Sequence, residues 1–422
     1  MENKKLKIGI IGLGTVGTGV VKVLKNFDNA EVIQAAVRNL NKKREVEVSN
    51  ITDDPFKVVN NPEIDVVVEV AGGCDPAYEL ITTAIKNKKH IVTANKELLA
   101  KFGAKIFDLA NEYNVAVLYE AAVAGGIPII GPIKTTLKGN TFTKVAGILN
   151  GTTNYILTKM EEKNISYQEC LKDAQDLGYA EADPTGDVEG YDAMYKIATL
   201  ANITFHKRID VNKIYREGIT KISADDIKIA DELGYKIKLI GLAQRVPGVE
   251  DGELDIRVHP MLVSKENMIS KINNALNAVL LEGFPVDKVM FTGPGAGEFP
   301  TASSVVGDIM QIAGEFGHTD TILPLTRCTH KEMAEQIDIK HTKNKYYISI
   351  KAPNSKGTIG IIGTVCGENN INLSSILQKG IKEDNTAQVI VITEESSESD
   401  IQNAIDKLKT HNIEINNLIR VM

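Results

Sequence analysis

The sequence predicts an α/β fold in three parts: a doubly wound parallel sheet, a central α+β segment and a C-terminal βαββαβ module. Three observations support this prediction. An apolar strand pattern near the N-terminus runs into a glycine-rich turn, strand and helix patterns then alternate to about residue 119, and the tail has βαββαβ order. Because 422 residues are many for one domain, we expect each part to bury its own core.

The composition excludes several classes of protein. The 48 basic and 55 acidic side chains give a net charge of -7, which offers no footprint for nucleic acid. No apolar run approaches the roughly 18 residues of a membrane-spanning helix. The four cysteines have no disulfide or zinc spacing, which favours a reducing cytoplasm. The basic, then apolar start lacks a cleavage site, so we interpret it as a strand.

A glycine-rich turn predicts a dinucleotide site. Leu6–Ile11 has the pattern of a strand buried on both faces, and Val20, Val21 and Leu24 follow at helical spacing. The turn between them consists of Gly12, Leu13, Gly14, Thr15, Val16 and Gly17. Its glycines allow a tight turn, close approach of a pyrophosphate and packing of the helix on the strand. This context predicts a Rossmann domain that binds NAD or NADP.

The end of the second strand bears on the choice between these cofactors. A strand over 31–37 ends at Arg38, where an NAD-binding protein usually has an acidic residue for the ribose hydroxyls. Arg38, followed by Lys42, Lys43 and Arg44, suits a 2′-phosphate and favours NADP. A solvated basic loop is the alternative interpretation.

Two later strand ends carry unusual chemistry. The predicted alternation continues with strand 64–70, helix 76–86, strand 90–92, helix 97–111 and strand 115–119. After 90–92, Lys96 could reach the ligand crevice and stabilise charge on a carbonyl oxygen, or it could be a surface lysine. After 115–119, Glu120 opens a segment of small residues that could hold a monovalent cation or could simply cross between domains.

The alternation of predicted strands and helices ends in the central region. We predict a strand over 142–149, a helix that opens at 150–154, strands over 236–245, 253–263 and 277–281, and a helix over 301–316. The later strands look antiparallel, which is typical of an α+β insertion. A glycine-rich turn, 293–297, precedes the last helix.

An acidic segment between 174 and 196 is the most informative feature. It contains Glu181, Asp183, Asp187, Glu189, Asp192 and Lys196. A helix predicted over 188–201 places Asp192 and Lys196 on the same side, one turn apart. The carboxylate would hold the lysine and raise its pKa while burial lowers it, so a pocket could tune proton transfer. A solvated surface ion pair and an acidic cage for a divalent cation are the alternatives.

The segment fits, without a gap, the signature of homoserine dehydrogenases. The matching residues are Ala174, Gly178, Tyr179, Ala180, Asp183, Pro184, Asp187, Val188, Gly190, Asp192 and Lys196. The stretch TANKELLA, 93–100, resembles the family's second lysine motif, and the resemblance covers about 6–335 and continues into the tail. It implies reversible NAD(P)-dependent interconversion of L-homoserine and L-aspartate 4-semialdehyde, in threonine and methionine biosynthesis.

The resemblance also implies roles for substrate-site residues. Lys196 would donate and accept the proton, Asp192 would position the substrate beside it, and Glu181 would bind the substrate amino group. The positions that match others in the same pocket are Gly151, Thr152, Tyr179 and Asp187.

Further roles concern the cofactor and a metal. Lys96 would contact cofactor and substrate, and Thr93 and Gly297 would lie at the cofactor. The resemblance implies a structural sodium ion (Na+) held by Glu120 and the carbonyls of Val123, Gly125 and Ile127. Cys328-Thr329-His330 could also suggest a metal, but no complementary pair lies nearby, which favours a linker.

The tail resembles an ACT domain. The expected order is strand 346–352, helix 357–368, strands 371–376 and 387–393, helix 399–411 and strand 413–421. The family turn commonly has Pro-Gly where this chain has Lys356-Gly357. Threonine is the expected effector, and a plain dimerisation module is the alternative. The expected domains are 1–130 with about 300–335 for NAD(P), 131–299 for substrate and dimerisation, and 345–422 for the ACT-like part.

Two rival functions stay open. A dehydrogenase of another small amino acid would suit the same lysines and acids, and a nucleotide-sensing regulator would use Rossmann and ACT domains without chemistry. The absence of a nucleic-acid-binding signature and the Asp192/Lys196 helix weigh against the regulator. The small-molecule enzyme is expected to form a homodimer or a larger homo-oligomer.

Overall fold

The computed structural model describes residues 5–246, 252–315, 327–381 and 384–422. No helix within these ranges is long and apolar enough to cross a membrane. The strands are β1 (Leu6–Ile11), β2 (Ala30–Ala36), β3 (Ile51–Thr52), β4 (Val66–Glu69), β5 (His90–Thr93), β6 (Val117–Leu118), β7 (Thr141–Ile148), β8 (Tyr215–Arg216), β9 (Tyr235–Arg245), β10 (Leu254–Ser264), β11 (Leu276–Phe284), β12 (Asp287–Pro294), β13 (Lys343–Pro353), β14 (Leu373–Ile381), β15 (Thr386–Thr393), β16 (Ser396–Ser397) and β17 (Glu414–Val421). The helices are α1 (Thr15–Leu24), α2 (Phe56–Val59), α3 (Ala77–Lys86), α4 (Lys96–Tyr113), α5 (Ile130–Lys134), α6 (Gly151–Lys163), α7 (Tyr167–Asp176), α8 (Thr185–Val188), α9 (Tyr191–Phe205), α10 (Ala224–Glu232), α11 (Glu298–Glu315), α12 (Thr358–Glu368) and α13 (Glu398–Thr410).

The chain forms two compact units. The first unit comprises Met1–Gly151, Asp192–Asn212 and Leu276–Ala334, and the second comprises Thr152–Tyr191, Lys213–Ala275 and Glu335–Met422. Segments far apart in sequence therefore build each unit.

The first unit contains a parallel sheet with strand order β3-β2-β1-β4-β5-β6. Strand β1 pairs with both β2 and β4, so the strand order reverses beside it. Val20 of α1 and Val305 of α11 belong to one buried cluster, whereas Ile81 of α3 and Ile106 of α4 belong to another. The predicted doubly wound α/β fold is confirmed. Such sheets bind ligands beyond the carboxyl ends of their strands, at the reversal.

The first unit also contains three antiparallel strands in the order β12-β11-β7. Strand β11 includes the predicted 277–281 and is longer, but β12 was not predicted. The residues of β12 are half-buried or exposed along the whole strand, so its sequence lacks the apolar alternation that would mark it.

The second unit contains the tail and three strands of the central region, β8, β9 and β10. Its strands follow the order β9-β10-β17-β13-β15-β14, with β8 beside β10 and β16 beside β13. The βαββαβ order is confirmed, and α12 and α13 supply Ile362, Ile401 and Leu408 to a buried cluster with the strands. Strand β17 pairs in parallel with β10, which joins the end of the tail directly to the central region.

The helix predicted over 188–201 has different bounds. The structure has a short helix, α8, followed by a break at Gly190 and then α9, which runs to Phe205. Gly190 has φ +81°, a backbone conformation incompatible with a continuous right-handed helix. The helix predicted over 301–316 begins earlier, at Glu298, and residue 316 lies outside the described residues.

Candidate active site

A cavity of about 510 Å³ lies beyond the ends of β1, β2 and β4 in the first unit. Gly12, Leu13 and Gly14 line it. Gly12 has φ +104°, and a Cβ on Gly17 would lie 2.0 Å from the Gly12 carbonyl oxygen, so α1 packs directly on the turn. Nothing lies within 4 Å of the Cβ position of Gly14, which precedes α1. An open glycine at a helix N-terminus fits a pyrophosphate.

The basic residues after β2 have different environments. Arg38, Lys42 and Arg44 all line the cavity. Arg44, however, donates hydrogen bonds to the carbonyls of Lys42 at 2.7 Å and Asn39 at 2.5 Å, so it holds its own loop together. Arg38 is exposed at the cavity wall. The described arrangement therefore leaves Arg38 and Lys42 as the better candidates for a phosphate.

A buried relay orders the ends of β4 and β5. Glu69 accepts two backbone N–H groups of the following turn, at 2.9 and 3.1 Å, and the Thr93 hydroxyl at 2.8 Å. Thr93 Oγ1 accepts the Asn95 N–H at 3.0 Å, and the Asn95 side chain caps α4. The relay fixes the start of α4, where Lys96 is the first residue. Sequence reasoning missed Glu69, although an acidic residue that ends an apolar strand could have signalled it.

Asp192 lies between two lysines in the first unit. Its Oδ2 accepts hydrogen bonds from Lys196 Nζ at 2.7 Å and Asn150 Nδ2 at 2.9 Å, and its Oδ1 forms an ion pair with Lys96 Nζ. Lys196 Nζ also donates to the Leu149 carbonyl at 2.7 Å. The side chains of Asp192 and Lys196 are only 7% and 9% exposed, so the surface alternative for this pair is wrong. Lys96, at 41%, reaches solvent.

The charge state of Asp192 follows from these neighbours. Burial acts to raise the pKa of Asp192, but the positive charges of Lys196 and Lys96 and their hydrogen bonds outweigh it. The pKa of this carboxyl is therefore held well below its usual range. An ionised carboxylate between two ammonium groups fixes both of them and can steady a proton-transferring lysine.

The acidic segment forms a second group of predicted residues, in the second unit. The Thr152 hydroxyl donates to the Tyr179 carbonyl at 2.6 Å and contacts Asp187 Oδ2 at 3.2 Å, which ties the loop to α6. Asp183 Oδ1 accepts from Thr185 at the start of α8. Glu181 is exposed. Gly151 is the first residue of α6.

Glu120, one of the predicted sodium ligands, binds backbone amides through its carboxylate. Its carboxylate accepts the N–H groups of Ile129, Ile130 and Gly131, at 2.5, 2.7 and 2.6 Å. The Gly125 carbonyl accepts the Ser304 hydroxyl at 2.7 Å. A carboxylate offers about four lone-pair sites, so three amides leave capacity for one more partner. Carboxylate and carbonyl oxygens are ligands that hard cations take, and the donor set therefore fits one.

The predicted cofactor residue Gly297 and the segment Cys328-Thr329-His330, interpreted above as a linker, lie outside these groups. Gly297 directly precedes α11. The Cys328 sulfur lies 3.3 Å from a nitrogen of the His330 ring, and burial is the main cause that lowers the pKa of His330 to about 4. Across the described ranges, no group of three or more His, Cys, Asp or Glu side chains could hold a metal.

Models of known families match most of the chain. The model described as homoserine dehydrogenase matches 128–310, and that of the homoserine dehydrogenase NAD binding domain matches 12–120. The ACT domain model matches 346–411. The predicted nicotinamide-cofactor domain and C-terminal ACT domain are thereby confirmed.

The chain is also similar to individual proteins over most of its length. A homoserine dehydrogenase from Synechocystis sp. is 41% identical, with 99% of both chains covered. The crystal structure of a homoserine dehydrogenase from Thiobacillus denitrificans has a TM-score of 0.92 at 37% identity, covering 99% of this chain and 98% of that one. A hyperthermophilic archaeal homoserine dehydrogenase in complex with NADPH has a TM-score of 0.63 at 26% identity, covering 74% of this chain and 98% of that one. An identity of 41% across 99% of the chain shows that it belongs to the homoserine dehydrogenase family of NAD(P)-dependent oxidoreductases.

Proposed function

We propose that this chain catalyses the reversible, NADP-dependent interconversion of L-homoserine and L-aspartate 4-semialdehyde, in threonine and methionine biosynthesis. The observation that carries the proposal is the ionised Asp192 held between Lys196 and Lys96 in the unit that contains the dinucleotide cavity. A bound nicotinamide would supply the hydride transfer, from the hydroxyl-bearing carbon of homoserine in one direction and to the aldehyde carbon in the other.

Lys196 moves the proton. In the direction of the aldehyde, its neutral amine accepts the hydroxyl proton while the hydride leaves the carbon. In the reverse direction, its ammonium donates that proton to the oxygen. Asp192 and the Leu149 carbonyl fix the position of Nζ through two hydrogen bonds of 2.7 Å. A fixed donor within reach of the reacting oxygen is what general acid–base catalysis requires.

Lys96 is the second cation at the developing oxygen charge. Its position at the start of α4 is set by the Glu69 relay, and its Nζ is drawn to Asp192. A positive charge placed in advance stabilises an alkoxide with little reorganisation. Lys96 also lies at the carboxyl end of β5, where the substrate and nicotinamide of such sheets meet.

The acidic segment binds the amino group of the substrate. Glu181 is exposed and carries the carboxylate that would pair with an ammonium. The hydrogen bonds of Thr152 to Tyr179 and Asp187 hold the segment against the start of α6, where Gly151 lies. Gly151, Thr152, Tyr179 and Asp187 are assigned to substrate binding as well in this proposal.

The cofactor preference rests on Arg38. Arg38 and Lys42 at the cavity wall suit a 2′-phosphate, and the archaeal relative was solved with NADPH. Thr93 and Gly297 complete the cofactor site in this proposal. NAD is the weaker cofactor.

A sodium ion is proposed at Glu120 with the carbonyls of Val123, Gly125 and Ile127. The donor types support it, as does the lone-pair capacity of Glu120. The role is structural: the ion would tie the segment after β6 together, with no part in the chemistry.

The remaining proposals concern regulation and assembly. We keep the domain boundaries 1–130 with 300–335, 131–299 and 345–422, with dimerisation through the second domain. Threonine is the proposed effector of the ACT domain, and saturating threonine that neither changed activity nor bound in calorimetry would contradict this. The four free cysteines support a cytoplasmic enzyme.

The test is the absorbance of reduced nicotinamide with purified protein, L-homoserine and either NADP or NAD. We expect reduction with homoserine, faster with NADP, and none with L-serine or L-2-aminobutyrate. Reduction with another amino alcohol but not homoserine would favour the rival dehydrogenase. NADP binding without any reduction would favour the nucleotide-sensing regulator.

A further inference from the structure

We infer that Arg216 is a positioning residue for the acidic segment, and that Arg420 connects it to the C-terminal module. The inference rests on the proposed role of the acidic segment in binding the substrate. All the contacts that carry it lie within the second unit.

Arg216 holds both sides of the break between α8 and α9. Its guanidinium carbon lies 3.6 Å from the centroid of the Tyr191 ring, which is close enough for a stacked cation–π contact. Its Nη1 donates to the Glu189 carbonyl and lies 3.9 Å from Glu189 Oε2. Glu189 precedes Gly190 and Tyr191 follows it, and the next residue in the chain is Asp192. One side chain therefore fixes the turn that leads into the catalytic helix.

The backbone beside Arg216 packs directly against the same turn. A Cβ on Gly218 would lie 2.3 Å from the Val188 carbonyl oxygen, so only glycine fits there. The Ile219 N–H donates to that oxygen at 2.9 Å. Because this contact is between two backbone segments, no flexible side chain lies between them that could move to accommodate a displacement. A shift of 216–219 would therefore move the end of α8.

Arg420 of β17 reaches the residue after Arg216. It is buried, and it donates to both oxygens of Glu398, at 2.9 and 2.6 Å, in a two-pronged pair. Its Nη1 donates to Glu217 Oε2 at 3.3 Å. The Tyr215 hydroxyl donates to the same oxygen at 3.0 Å. Glu217 is thus shared between the module, through Arg420, and the segment that clamps the acidic turn.

The arrangement predicts which kinetic constant a change in the C-terminal module would alter. Glu398 begins α13 and Arg420 lies in β17, so a movement of either element changes the position of Glu217. The cofactor cavity is lined by residues 11–80 of the first unit, none of which belongs to this connection. Disturbing the connection should therefore change the KM for homoserine and spare the KM for NADP.

The first experiment replaces Arg216 with Ala in the full-length chain. We expect the KM for homoserine to rise about tenfold, the consequence of losing a charge-assisted hydrogen bond, with the KM for NADP unchanged. Arg216→Lys keeps the charge without the planar stack and is expected to recover part of the loss. An unchanged KM for homoserine, or an equal rise in both KM values, would overturn the role of Arg216.

Arg208→Ala is the matched control. Arg208 is similarly buried, at 19% against 21%, and it also pairs with a carboxylate and donates to a backbone carbonyl, but in the first unit. We expect it to leave the KM for homoserine unchanged. Glu181→Gln is measured in parallel. If Glu181→Gln has no effect on the KM, the proposed role of the acidic segment fails; if only Arg216→Ala has none, the present inference fails.

The connection to the module is tested by Glu217→Gln, which leaves the buried Arg420–Glu398 pair intact. We expect a rise of about threefold in the KM for homoserine, since a charged partner of Arg420 becomes neutral. The double variant with Arg216→Ala should show less than the product of the two single effects, because the residues act through one segment. No effect of Glu217→Gln, or strictly multiplicative effects, would contradict the connection.

Discussion

Lys196 donates a hydrogen bond of 2.7 Å to Asp192, one turn away in α9, and both side chains are buried. Burying two charges costs several kcal/mol per ion before their attraction offsets it, so such a pair is a poor way to stabilise a fold. The Leu149 carbonyl, Asn150 and Lys96 converge on the same two side chains. This convergence supports the proposal that Lys196 is held in place for proton transfer.

Replacing Asp192 with Asn tests the charge between the lysines. The amide keeps the shape of the side chain but leaves Lys196 and Lys96 without their shared negative charge. We expect kcat to fall by about a hundredfold, within the range that general acid–base groups contribute. In the direction of aldehyde reduction, where Lys196 must hold its proton to donate it, the basic limb of the pH–rate profile should also move to lower pH. Steady-state rates across pH measure both effects, and a parent-like profile would contradict the role of Asp192.

Arg38→Ala tests the cofactor preference. Loss of a guanidinium that pairs with a 2′-phosphate should reduce kcat/KM for NADP by about tenfold or more and leave that for NAD unchanged. Lys43→Ala is the control, because Lys43 is exposed in the same basic loop but does not line the cavity. An equal fall in kcat/KM with NADP and with NAD would show that Arg38 does not bind the 2′-phosphate.

The α/β fold and the two lysine motifs could be predicted because their signals are local. The glycine turn after β1 and the four-residue spacing of Asp192 and Lys196 depend on neighbours in sequence. The break at Gly190 was missed because an apolar helical pattern continues across a glycine that takes a positive φ. A pattern of residue types does not show the φ that a glycine adopts.

The partners that complete the site depend on tertiary structure. Asn150 lies 42 positions from Asp192, and their contact follows from the way the segment after β7 meets α9. The ion pair of Lys96 with Asp192 likewise joins different parts of the chain. Neither has a sequence signature. Strand β12 was missed for another reason. Its residues are half-buried or exposed, so the sequence has no alternation of apolar and polar residues that would indicate a strand.

Lys238 gives the second unit a pH dependence of stability. It lies buried in β9, where its Nζ donates to the Ile272 carbonyl at 2.7 Å and Asn154 Oδ1 at 3.0 Å. Burial, as the largest cause, lowers the pKa of Lys238 from 10.5 to about 8. Between these values the unfolded chain holds a proton that the native lysine has lost, so stability rises with pH.

The variant Lys238→Met lacks this titration. We expect the free energy of unfolding of the parent, relative to the variant, to increase by on the order of 2 kcal/mol from pH 7.5 to 10. Lys236→Met is the control on the same strand, where the lysine is more exposed and pairs with Glu161. Chemical denaturation at the two pH values measures the difference. A difference independent of pH would contradict the lowered pKa.

The most direct test of the account is Lys196→Ala, assayed for turnover of L-homoserine with NADP and for binding of NADP. We expect turnover to fall by about 10²–10⁴, the contribution of a general acid–base residue, while NADP binds as in the parent. Lys105→Ala, at an exposed position of α4, should leave both unchanged. A Lys196→Ala variant that retained the parent rate would contradict the proposal that Lys196 transfers the proton.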